Sequence, residues 1–198
     1  DGLGHIGDDD IFYNCNKGED FSFITGLTKM GIETIPPLVG RGVLINMAKH
    51  HGVSSMYGGQ GITREDIKKA IKKQNIELKK GDIILFHTGW TDAKLKSSPE
   101  EWGASIPGIT NDAAVYLSEF KPMAVGADTW GLGAVPPIEG DKVYYDHVTL
   151  IKENGIYILE TMDTGKLAKE NVTEFMFVLG QPKLKGAVQM IINPVALW

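Results

Sequence analysis

Short apolar runs alternate along this chain with longer stretches in which apolar residues recur every three or four positions. The clearest run is "DIILFHT" at 82–88, entered from the turn-forming "KKGD" and left through Gly89; a run of this length between turn residues reads as a strand. "GVLINMA" at 42–48, "MAVGAD" at 123–128, "GIYILET" at 155–161, "EFMFVL" at 174–179 and "AVQMIIN" at 187–193 read similarly. The clearest helix is "TREDIKKAIKKQN" at 63–75. Thr63 is placed to cap it, and Asp66 stands three residues later where a capping box has Glu. Ile67, Ala70 and Ile71 fall at i, i+3 and i+4, with lysines on the opposite face. Helices are also predicted over "TNDAAVYLSEF" at 110–120 and "VYYDHVTLIKEN" at 143–154, the second closed by Gly155. Strands alternating with helices predict an α/β fold, a mixed β-sheet with packed helices. No repeat, low-complexity tract or linker divides the chain, so residues 1–198 are expected to form one domain.

Composition narrows the function classes. At 198 residues, 42% hydrophobic and 23% charged, the chain is globular rather than disordered or fibrous. A net charge of −5 argues against a nucleic-acid partner, which demands a basic face. No apolar run approaches the length that spans a membrane. Cys15 is the single cysteine, which excludes an intramolecular disulfide and leans toward a reducing compartment; a cytoplasmic location is the expectation.

The opening "DGLGHIGDDDIFYN" is the unusual stretch. It sets Asp1, His5, Asp8, Asp9 and Asp10 among glycines, too polar for a core strand and too glycine-rich for a helix. It is either a solvated acidic turn or a loop that holds a cation. The chain has no initiator Met and starts inside this loop, so an N-terminal segment is expected to be missing.

Other signals are weak. "YGGQG" at 57–61 has no following Lys-Ser/Thr pair and reads as a tight turn, and no G-x-S-x-G elbow is present. His50 and His51 are adjacent beside Gly52; neighbouring side chains diverge, so they suit a surface turn better than one metal. His87 shares a strand face with Ile83 and Leu85 and reads as a hydrogen-bonded core or rim histidine. Glu160 is different: it follows the apolar run "GIYIL", and a carboxylate there needs a cation or a histidine as partner.

The order "DGLGH…YN", "GRGVLINMA", "KKGDIILFHTGW", "PGITNDAAVYL", "VGADTW…VPP" and "DHVTLIKENGIYILETMD" resembles the cyclase family, whose members include bacterial kynurenine formamidases and isatin hydrolase. That family's signature, H-x-G-T-H-x-D-x-x-x-H, binds a divalent metal through its first two histidines and its aspartate. In this alignment Asp1 stands at the first histidine and His5 at the second, while Gly7 replaces the ligand aspartate and Ile11 the last histidine. The resemblance implies a variant branch with Asp1 and His5 as metal ligands. The third ligand is left to Asp8, Asp9, Asp10, a water or Glu160, with Asp9 taken for the candidate set. His147 matches the family's helix histidine and Glu160 the acidic or amide residue that works with it.

What this implies is a Mn²⁺- or Zn²⁺-dependent hydrolase acting on an amide, cyclic amide or lactone, with a small-molecule substrate. In that reading His147 moves the proton and Glu160 orients it or sits beside the metal. Tyr13, Trp90 and Trp130 are candidate pocket walls. Family members are commonly oligomeric, which implies a homo-oligomer. The rival expectation is a cyclase-like fold kept for small-molecule binding or assembly without turnover.

Overall fold

The computed structural model describes residues 1–198. Its framework is a six-stranded mixed sheet of β1 (Leu38–Asn46), β2 (Ile83–His87), β3 (Ala124–Ala127), β4 (Tyr157–Leu159), β5 (Glu174–Leu179) and β6 (Val195–Leu197). The spatial order is β4-β3-β2-β1-β5-β6. β1 to β4 run parallel, so their carboxyl ends share one edge; β5 is antiparallel to β1, and β6 to β5.

Both faces of this sheet are covered, which is why its inner strands read as unbroken apolar runs. Val43, Ile45, Ile84, Phe86, Val125, Ala127 and Ile158 point to one cluster. Leu44, Ile83, Leu85, Ala124 and Leu159 point to the other, alternating residue by residue. Helices Arg64–Lys73 and Asn111–Ser118 cover the first face. So does a helical segment that begins as the α-turn Tyr145–His147 and widens into the π-type turns of Val148–Glu153. Ile32, Ile35, Met162 and Leu167 cover the second face.

The capping box expected at 63–75 is present. Thr63 Oγ1 accepts from the Asp66 N–H at 3.2 Å, and the Thr63 N–H donates to Asp66 Oδ2 at 3.0 Å. The strand expected at 42–48 starts earlier, at Leu38, and stops at Asn46, whose side chain accepts from Lys49 N–H and opens the helix Met47–His51. The segment 187–193 is a correction. It forms no strand; Ala187, Met190 and Ile192 pack against the second face from an irregular path, and pairing begins only at Val195, after Pro194. Its apolar spacing reports packing on the sheet rather than membership of it, and proline cannot donate to a ladder.

Candidate metal centre

Asp1 is fixed by its backbone. Its nitrogen donates to the Ile158 carbonyl in β4 at 2.7 Å, and the Gly2 N–H donates to Val188 at 3.0 Å. A turn closed by the His5 N–H on the Gly2 carbonyl brings the imidazole back over Asp1. His147 ends the α-turn above the sheet, and Glu160 follows β4 directly.

These four residues meet. Asp1 Oδ2 lies 3.8 Å from His5 Nε2 and 3.5 Å from His147 Nε2. Ligand atoms of Asp1, His5 and His147 all fall within 4.8 Å of one another. Glu160 Oε1 is 3.2 Å from His147 Nε2, and Asp146 Oδ2 is 3.0 Å from His147 Nδ1. Asp146 is 2% exposed and His147 4%. The group faces a cleft of about 260 Å³ lined by His5, Ile6, Trp130, Gly131, Tyr144, His147 and Glu160. The Tyr144 ring stands edge-on to His147, with centroids 5.6 Å apart.

The remaining sequence candidates lie elsewhere. Asp9 does not join the cluster; it sits exposed at the tip of a turn closed by Asp8 and Ile11. Asp8 faces Lys152 at 3.9 Å, and Asp10 accepts from the Glu19 N–H. Trp90 is buried in the core, Tyr13 packs over Gly155, and Trp130 alone of the three aromatics lines the cleft. His87 is buried with Nδ1 2.8 Å from Thr164 Oγ1. Asp146 was missed by sequence reading. Its signal was a carboxylate inside an apolar helix face directly before His147, which the helical pattern alone does not separate from a solvated position.

The two imidazoles are pushed in opposite directions. Burial lowers the His5 pKa to about 4, helped by the charge on His147. Burial would also lower His147, but the hydrogen bonds to Asp146 and Glu160 outweigh it and raise the pKa to about 9. The raised His147 pKa stabilises the folded chain below the ordinary histidine value of 6.5, and that contribution is lost as pH climbs through about 9. The depressed His5 pKa acts the other way, costing stability as pH falls from 6.5 through about 4. In chelator, unfolding free energy from urea titrations is therefore expected to fall on both sides of near-neutral pH. His147→Gln should remove the alkaline fall and leave the acid one.

Residues 1–134 match the "Putative cyclase" family model, more than half of the chain. The chain belongs to the cyclase family. A crystal structure of a novel cyclase superimposes with a TM-score of 0.88 at 29% identity, covering 100% of this chain and 68% of that one. Isatin hydrolase A from Ralstonia solanacearum gives 0.67 at 19% identity, covering 88% of this cyclase-family chain and 67% of its own. A predicted metal-dependent hydrolase from Bacillus stearothermophilus gives 0.57 at 20%, covering 80% and 63%. These last two share the fold. Among curated proteins none matches the chain.

The donor set fits a divalent cation on this structure's own terms. Asp1 Oδ2 is buried, has no hydrogen-bond partner, and points between two imidazole nitrogens. A buried carboxylate oxygen without a hydrogen bond is costly unless something positive completes it; protonated His147, 3.5 Å away, supplies that charge in chelator, and a cation would take its place.

Proposed function

We propose that this cyclase-family chain is a metal-dependent hydrolase of an amide, cyclic amide or lactone, with Asp1, His5 and His147 holding Mn²⁺ or Zn²⁺. The observation that carries the reading is the unpartnered Asp1 Oδ2 between His5 and His147. When bound, such a cation supplies Lewis acidity toward a carbonyl and a water acidic enough to ionise near neutral pH.

The protein's own groups do the rest. The Nδ1–H of His147 donates to Asp146, the arrangement in which a carboxylate orients a ligating imidazole, and a cation held at Nε2 would displace the proton that Nε2 shares with Glu160. His5, with its pKa near 4, is neutral at pH 7 and keeps a lone pair free. Glu160, part-exposed at the cleft, takes over the proton-transfer role that the family position suggested for His147. Its Oε1 accepts a proton from water and returns it to the leaving nitrogen or oxygen. Trp130 and Tyr144 give the cleft flat apolar walls suited to a planar ring.

The test is uptake and turnover in one series. The chelated protein, reloaded with Mn²⁺ or Zn²⁺, should retain a cation after dialysis and hydrolyse a panel of anilides, cyclic amides and lactones only when loaded. His5→Gln should lose turnover and the equivalent of cation that the cleft holds. Retention without turnover across the panel would favour the binding-protein reading, and failure to retain either ion would overturn the metal centre itself. Asp146→Asn is expected to weaken cation affinity by about 10–100-fold without removing a ligand; competition against a chromogenic chelator reads this directly.

A further inference from the structure

We propose that His50, His51 and Asp66 form a second cation site, separate from the cleft and selective for imidazole-preferring divalent ions such as Zn²⁺, Ni²⁺ and Cu²⁺. Adjacent histidines ordinarily point apart, but here they occupy the last turn of the five-residue helix Met47–His51. Their ring centroids are 5.0 Å apart, with the planes at 78°. Asp66, on the first turn of the Arg64–Lys73 helix, faces the same point, and one ligand atom from each of the three lies within 4.8 Å of the others.

Two further observations point to a ligand. His50 Nδ1 is buried and has no hydrogen-bond partner. Asp66 spends one oxygen on the cap, since Oδ2 takes both the Thr63 N–H and its hydroxyl. That leaves Oδ1 free for a ligand. Gly52, with φ 72°, turns the chain away immediately after His51, leaving that imidazole exposed and unobstructed.

Charge decides which ions enter. A single carboxylate with Lys69 and Lys73 nearby is a poor site for Mg²⁺ or Ca²⁺, which want several oxygens. Two imidazoles and one carboxylate suit the later first-row divalent ions, whose affinity rests on nitrogen donors. Such an ion joins the end of one helix to the start of the next and closes the 52–62 connection, a structural staple rather than a reaction centre.

Zn²⁺ alone is the probe. By equilibrium dialysis the chelated wild type should take up about two equivalents, and His51→Gln about one. His51 is exposed, so that variant is expected to fold as wild type does. His5→Gln should also take up about one, from the second site. Zn²⁺ should shift the imidazole ¹⁵N signals of His50 and His51 in both wild type and His5→Gln, and Mg²⁺ should not. Unchanged uptake by His51→Gln, or imidazole signals that Zn²⁺ leaves in place, would overturn the proposal. Loss of an equivalent in His51→Gln but not in His5→Gln would uphold it and count against the cleft site instead.

Discussion

His147→Gln is expected to lower turnover of the loaded protein by about a hundredfold or more and to cut cation retention, with the fold left in place. Glutamine is the informative substitution because Asp146 is 2% exposed and hydrogen-bonds only with this ring among side chains. An amide still offers it a donor. Alanine would strand a buried carboxylate, at a cost of about 3–5 kcal/mol, and confuse loss of chemistry with loss of stability. Paired urea titrations and kcat measurements separate the two effects: in chelator, His147→Gln should lose only the stabilisation that the raised His147 pKa supplies, while kcat of the loaded protein falls about a hundredfold or more. A variant with wild-type turnover would remove His147 from the site.

The largest stability effect is expected at Phe86. It is 0% exposed at the centre of β2, between β1 and β3, and its ring packs among the helices on the first face. Phe86→Ala should cost about 3–5 kcal/mol from lost transfer energy plus the cavity left behind. That is a large share of the roughly 5–15 kcal/mol available to an ordinary domain. Met176→Ala, at a position 49% exposed on β5, should change stability by about 0.5 kcal/mol or less. Urea unfolding of both variants tests the contrast; a Phe86→Ala cost near that of Met176→Ala would contradict close packing of the first face.

The difference between these positions is also what made the fold legible. Where a segment is buried on both faces, as at 83–87, or amphipathic with a cap, as at 64–73, the local pattern and the tertiary environment agree. The segment 187–193 was misleading because an irregular chain packing on a sheet buries Ala187, Met190 and Ile192 much as a strand would. The site divides along similar lines. Asp1, His5, His147 and Glu160 came from family positions, since nothing local joins residues so far apart in the chain. Asp9 was drawn in by proximity in sequence, yet its side chain belongs to a turn facing solvent. Asp146 went unseen because its role exists only once His147 is turned inward.

The way Asp1 is seated has a consequence for how the site responds to its surroundings. Residues 1–35 contain only two-residue strands and single 3-10 turns. The Asp1 bond to β4 ties this segment to the sheet, and the bonds from Gly2 to Val188 and from Leu27 to Gly186 tie it to the irregular stretch before β6. Segments of this kind open locally at free energies well below that of global unfolding. In the proposed site, an ion held by Asp1 and His5 on this segment and by His147 on the helix would bind only the closed arrangement, so its free concentration would set how often the segment is shut. Amide exchange would register this as slowing confined to the first residues, with β1 to β3 unaffected. With such an ion, the sheet would be a permanent foundation and the proposed site a latch whose position reports the supply of metal.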